Sequence, residues 1–140
     1  MIEIPSIAVI ADLAAKEVDF ASVGTNDLTQ YLHAVDRMNA AIVDYYQSMS
    51  PSMFRMLGMI FSEFNKAGKP ISVCGELAGD PLAAIPLVGL GLRKLSMNAS
   101  NIARVKWMLS KFTLTEMKEI AERVQRMATQ ADVNQLLKEE

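Results

Sequence analysis

Apolar residues along this chain fall into two alternating textures. Short, largely apolar runs, Met1-Ile2-Glu3-Ile4, Phe20-Ala21-Ser22-Val23, Pro70-Ile71-Ser72-Val73 and Lys94-Leu95-Ser96-Met97, read as strands. Longer segments with apolar residues every third or fourth position follow each of them and read as helices. Pro5 ends the first strand, and Ser6 is placed to cap a helix over 7–17. The stretch 28–46 reads as helical in parts, with a break near Arg37 to Asn39. Ser50-Pro51 and Asp80-Pro81 each pair a capping side chain with proline at the first helical position, and Gly68 closes the first of those helices near Ala67. Gly89 and Gly91 close the second. A further helix is expected over about 101–110. Thr113 with Glu116 has capping-box spacing for a helix to about Met127, and Thr129 caps a last amphipathic one. Strand and helix alternate four times before two terminal helices, which predicts α/β architecture with parallel strands and right-handed crossovers. Four βα units are half of an eight-unit barrel, or a small open sheet; periodicity leaves both open.

Composition narrows the class. The 140 residues suffice for one domain with one core. A net charge of −2 gives no footprint for nucleic acid or a membrane surface, and the longest apolar run, 83–92, is far short of the roughly 20 residues that cross a bilayer. One cysteine rules out an intrachain disulfide framework and fits a reducing, cytoplasmic setting.

Chemistry-bearing residues gather where the strand-like runs stop. Glu3 is flanked by isoleucines and is either the solvent side of an alternating strand or a metal ligand at a strand end. Gly24-Thr25-Asn26-Asp27 reads either as a capped turn or as an anion and cation site, with amide N–H groups for the one and Asp27 for the other. Glu3 and Asp27 together can share one Mg²⁺, water and substrate completing its shell. Arg37 suits a phosphate grip or a surface ion pair. Cys74, the only thiol, ends the third strand beside Gly75-Glu76 and is a buried small hydrophobe or a proton donor facing a substrate. His33, the only histidine, is read as a packing or surface residue.

Met1-Ile2-Glu3-Ile4-Pro5-Ser6, Gly24-Thr25-Asn26-Asp27-Leu28-Thr29-Gln30-Tyr31, Ala34-Val35-Asp36-Arg37 and Cys74-Gly75-Glu76-Leu77-Ala78-Gly79-Asp80 together resemble the enzyme I family of the bacterial phosphotransferase systems, the phosphoenolpyruvate–protein phosphotransferases. The likeness runs in order through essentially the whole chain. Pyruvate phosphate dikinase and phosphoenolpyruvate synthase have a related barrel, but Leu28 to Tyr31 followed by Ala34 to Arg37 looks closer to enzyme I. Ser96 to Ala99 and Val105-Lys106-Trp107 are similar to the nitrogen-related branch, the choice between sugar and nitrogen branches staying open.

The resemblance implies the carboxyl-terminal half of a TIM (βα)₈ barrel, occupying residues 1–140, that binds phosphoenolpyruvate and Mg²⁺ and dimerises. It makes Glu3 and Asp27 the metal ligands, Asn26 and Asp27 the phosphoenolpyruvate contacts, Arg37 the holder of the phosphoryl group, and Cys74 the acid that protonates the enolate carbon as pyruvate forms. The phosphoryl group would pass to a histidine on a separate domain and on to a phosphocarrier protein. That domain, and the barrel half with further arginines, have no counterpart in these residues. The chain alone is therefore expected to be inactive and to self-associate through its two open strand edges. Ser50 stands where many members have histidine. Alternative readings are a non-catalytic dimerisation module and a fragment of a dikinase or synthase.

Overall fold

A computed structural model describes residues 1–140. It is a mixed α/β fold, mostly helical around a small parallel sheet. Its elements are α1 (Pro5–Val9), α2 (Ala11–Glu17), β1 (Ala21–Gly24), α3 (Thr25–His33), α4 (Pro51–Lys66), β2 (Ile71–Cys74), α5 (Pro81–Gly89), α6 (Ala99–Leu109), α7 (Leu114–Arg126) and α8 (Gln130–Glu139). No helix is long and apolar enough to cross a membrane.

β1 and β2 pair in parallel from Ala21 opposite Ile71 to Gly24 opposite Cys74. The two outer runs are shorter than the sequence suggests. Each touches the sheet through one parallel bridge, Ile2 to Val23 on one side and Leu95 to Val73 on the other. Ile2 N–H donates to Ser22 O (2.8 Å), and Ser96 N–H donates to Val73 O (2.8 Å). Each outer run has a neighbour on one side only, so little ladder forms. Spatial order thus equals chain order, every contact being parallel.

Burial alternates along β2: Ile71 and Val73 are buried, Ser72 and Cys74 only partly. The buried face joins Ile2 and Val23 in the core, beneath Phe54, Leu57, Phe61 and Phe64 of α4. The other face carries the small polar side chains. α5 is apolar nearly all round and lies between α6 and α7. Its Gly89 lets α7 approach so closely that a Cβ there would sit 2.0 Å from the Met117 carbonyl oxygen.

Side-chain caps start four of the eight helices. Ser50 Oγ accepts from Met53 N–H, Asp80 from Leu82 and Ala83 N–H, and Thr113 and Thr129 each complete a capping box. Three expectations need correction. Ser6 caps nothing: Ile4 is the N-cap and Pro5 the first helical residue, so proline opens the helix that it was expected only to precede. The helix over 7–17 is broken at Ile10. The segment after Gly24 is helical from Thr25, not from Leu28, and ends at Ala34 in the left-handed conformation (φ 52°).

Ser50 also explains the histidine. His33 Nδ1 lies 2.9 Å from Thr29 O and its Nε2 lies 3.0 Å from Ser50 Oγ, so the ring ties the end of α3 to the start of α4. Ser50→Ala removes the cap and that tie. It is expected to cost about 1–2 kcal/mol in chemical denaturation.

Candidate functional site

The bridges Ile2–Val23 and Val73–Leu95 and the pair Val23–Val73 put four residues on one level of the sheet. The next residue along each strand is Glu3, Gly24, Cys74 and Ser96. Side chains alternate along strands, so these four share the polar face. With strands about 4.8 Å apart, Glu3 and Cys74 are separated by roughly 10 Å. Gly24 leaves the space between them: a Cβ there would lie 2.8 Å from Glu3 Cγ and 3.0 Å from its Oε1. The sheet thus brings the Glu3 carboxylate and the Cys74 thiol to one rim. The Ser22 hydroxyl donates to Cys74 Sγ at 3.6 Å, and the thiol donates to Val23 O at 3.5 Å, which holds the sulfur on that face.

Above the rim β1 runs directly into α3. Asn26 and Asp27 therefore occupy a helical first turn, not an isolated loop. First-turn amides have no intrahelical acceptor, and the positive end of the helix favours anions. Two contacts fix this turn against the end of β2, and a third ties it to the connection between α3 and α4. Thr25 Oγ donates to Cys74 O (2.7 Å), Asn26 Oδ1 accepts from Glu76 N–H (3.2 Å), and Tyr46 OH donates to Asn26 O (3.0 Å). Gly75 makes this approach possible at φ 96°, since a Cβ there would lie 2.6 Å from Thr25 Oγ and 2.9 Å from Asn26 Oδ1.

Asn26 and Cys74 line one polar cleft of about 460 Å³, closed on the far side by Ser96, Asn98 and Asn101. Asp27, Arg37 and Glu3 do not line it. Arg37 turns back to Asp27, Nη2 to Oδ1 being 3.9 Å, with both side chains well exposed. Its backbone N–H is held by Gln30 Oε1 at 3.2 Å. Of the readings open for Arg37, the structure gives an ion pair with the strand-end carboxylate, not with its neighbour Asp36.

No three His, Cys, Asp or Glu side chains gather as a protein-only metal cage. Glu3 folds over Gly24, and Asp27 lies three residues beyond that glycine in the first turn of α3, so the carboxylates on offer number two. That fits a hard cation that takes its remaining ligands from water and a substrate phosphate, as Mg²⁺ does.

Sequence reasoning missed Tyr46. It lies in the long connection from α3 to α4, where no motif marks it, and only its distance to Asn26 reveals it. Burial pushes its phenol above the ordinary value and nearby Glu76 adds to this, while Arg37 and Thr29 pull the other way. The phenol therefore stays a hydrogen-bond donor through neutral pH. Asn98 and Asn101 were also missed, because they enter the cleft from the turn and helix after Leu95.

Comparison with known proteins gives the family of the chain. Residues 1–114 match the family of the PEP-utilising enzymes, PEP-binding domain, PEP being phosphoenolpyruvate. The chain is 44% identical over 139 residues to the phosphoenolpyruvate-protein phosphotransferase of Bacillus subtilis (strain 168), covering 99% of this chain and 24% of that protein. A Listeria monocytogenes protein of the same name is 44% identical over 137 residues, covering 98% and 24%. The phosphoenolpyruvate-dependent phosphotransferase system protein of Escherichia coli (strain K12) is 46% identical over 123 residues, covering 88% and 16%. The chain thus spans a quarter or less of these relatives' lengths. With matches of this extent, the chain belongs to the PEP-utilising enzymes, in their PEP-binding domain, among relatives that are phosphoenolpyruvate-protein phosphotransferases.

Proposed function

We propose that the rim from Glu3 to Cys74 binds phosphoenolpyruvate with Mg²⁺, and that these residues form the carboxyl-terminal half of a (βα)₈ barrel whose parent enzyme passes the phosphoryl group to a protein histidine. The observation that carries the reading is the shared level of Glu3, Gly24 and Cys74 beneath the first turn of α3. The parallel, in-order strands with helices on one face support the half barrel, since a closed barrel has that order and puts its chemistry at the strands' carboxyl ends.

Each residue has a distinct task. Glu3 and Asp27 hold the metal. When bound, Mg²⁺ supplies cancellation of the phosphate's negative charge. Asn26 and the first-turn amides of α3 orient the substrate, and Arg37 swings from Asp27 to grip the phosphoryl oxygens. As the acceptor histidine's nitrogen bonds to phosphorus, the bond to the enol oxygen breaks. Cys74 gives its proton to the methylene carbon, the product is pyruvate, and the thiolate regains a proton from solvent. Phosphoryl transfer depends on positioning and charge cancellation, which this set provides. The acceptor histidine and the rest of the phosphate grip belong to other parts of the parent, and through them it serves a phosphocarrier partner in a sugar or nitrogen phosphotransferase system.

Calorimetric titration with phosphoenolpyruvate and Mg²⁺ tests the site. We expect measurable heat from the native chain, its loss in Asp27→Ala and Glu3→Ala, and its retention in Cys74→Ala. Heat unchanged by both carboxylate substitutions overturns the assignment. Pyruvate release by the 140-residue chain is expected to stay at the level of its Cys74→Ala variant; clear turnover above that level would contradict the incomplete-enzyme reading.

A further inference from the structure

Arg37 sits in a stretch that the fold holds loosely. Residues 36–41 are all exposed. The main chain is anchored as far as Arg37: Val35 is buried, its N–H donates to Gln30 O (3.0 Å), and the Arg37 N–H donates to Gln30 Oε1 (3.2 Å). After it only local turns follow, Met38 N–H to Asp36 Oδ1 (2.9 Å) and Ala41 N–H to Asn39 Oδ1 (3.0 Å). None of these bonds reaches the guanidinium. Its ion pair with Asp27, at 3.9 Å and well exposed on both sides, is worth little in water. A long side chain of this kind needs another partner to stay near Asp27.

Tyr46 is that partner. The connection returns through a short 3₁₀ turn, Val43–Tyr45, and its returning limb is anchored: Met49 is buried and its N–H donates to Gln130 Oε1 of α8 (2.8 Å). The Tyr46 hydroxyl gives its one proton to Asn26 O (3.0 Å). Buried Thr29 has its own hydroxyl proton committed to Thr25 O (2.6 Å), which leaves the phenol oxygen's lone pairs to Arg37, a donor only. Burial raises the phenol above its ordinary value, while Arg37 and Thr29 beside its oxygen pull the other way. One partly buried hydroxyl thus meets the main chain of Asn26 and the side chain of Arg37 together.

We propose that Tyr46 is a positioning residue for phosphoryl transfer: it stations the Arg37 guanidinium beside Asp27 and fixes its distance from Asn26 before phosphoenolpyruvate arrives. This role rests on the phosphoenolpyruvate site proposed above and adds to it the group that prepares Arg37. A free arginine gives up many rotamers when it grips an anion, at a cost that weakens binding several-fold. Ordering the side chain beforehand removes that cost. Arg37 has only to exchange one acceptor, the phenol oxygen or the Asp27 carboxylate, for a phosphoryl oxygen. Tyr46 does not line the cleft beside Cys74 and acts through Arg37.

Two measurements on the 140-residue chain test this role. Nitrogen relaxation of the arginine Nε–H groups, without ligand, is expected to show Arg37 more rigid than Arg126, whose side chain is 80% exposed. Tyr46→Phe is expected to make the two alike. Calorimetry with phosphoenolpyruvate and Mg²⁺ is expected to show about fivefold weaker binding in Tyr46→Phe. In an Arg37→Gln background the same substitution is expected to change nothing further. An equal loss in both backgrounds would give Tyr46 a purely structural role and overturn the proposal. So would unchanged affinity in Tyr46→Phe, or an Arg37 equally mobile with and without the hydroxyl. A native chain that gives no heat with phosphoenolpyruvate, while Tyr46 still orders Arg37, would instead overturn the substrate site, and the proposed role with it.

Discussion

Gly75→Ala is expected to cost this domain about 2–3 kcal/mol and to lower its affinity for phosphoenolpyruvate at least tenfold. At φ 96° and ψ −177° the residue occupies a region that is essentially reserved for glycine. The added methyl meets Thr25 Oγ at 2.6 Å and Asn26 Oδ1 at 2.9 Å, so the strain and the collision act together. Relief requires moving the first turn of α3 away from β2. That breaks the Thr25 bond to Cys74 O and the Asn26 bond to Glu76 N–H. A single methyl thereby displaces Asn26 and Asp27, the groups assigned to substrate, from Cys74, the group assigned to the proton. Calorimetric affinity and urea denaturation measured on the same variant check both halves. Unchanged affinity in a destabilised protein would place the substrate away from this turn.

Gly89→Ala is expected to have the larger effect on folding, about 3 kcal/mol, seen as a fall of roughly 10 °C in Tm. Here the obstacle is main chain: the new Cβ would lie 2.0 Å from Met117 O, 2.6 Å from Met117 C and 2.8 Å from the Ala121 methyl. A main-chain carbonyl in the first turn of α7, fixed by the helical backbone, cannot rotate aside, so α7 must lift off α5. Lifting it opens gaps around Met117, Ile120 and Val124, the buried face of α7. The substitution improves helix propensity by up to about 1 kcal/mol, which is too little to offset the lost packing. A Tm within a few degrees of the native value would show that α5 and α7 are less tightly joined than described.

These two glycines also mark what was legible in the sequence. Local signals were readable because their physics is local. The caps at Ser50, Asp80, Thr113 and Thr129 act within one helical turn, and the short apolar runs ending at Val23 and Val73 are bounded by turn residues close by. Signals that depend on a distant partner were not. Gly89 reads as a helix stop, and its role exists only because Met117 lies against it. Ser6 has the right type to cap, yet Pro5 at the first helical position makes Ile4 the cap. The outer strands alternate like strands but form one bridge each, since ladder length depends on neighbours.

The candidate site divides the same way. Glu3, Asn26, Asp27, Arg37 and Cys74 were named from their types and from where the strands stop. What the sequence could not supply was the level of the sheet that aligns Glu3 with Cys74, or the Tyr46 bond to Asn26 across 20 positions of chain. Arg37 is an instructive middle case. Its chemistry was visible, but its partner, Asp27, is brought to it by the end of α3.

The central claim is that carboxylates, a divalent cation and a phosphorylated acid converge at the rim between Glu3 and Cys74. Paramagnetic Mn²⁺ in place of Mg²⁺ tests that convergence through the phosphorus relaxation of phosphoenolpyruvate. Fast relaxation on adding the native chain, abolished by Asp27→Ala and preserved in Cys74→Ala, is the predicted result. Relaxation that the chain does not enhance, or enhances equally with Asp27→Ala, would contradict the account.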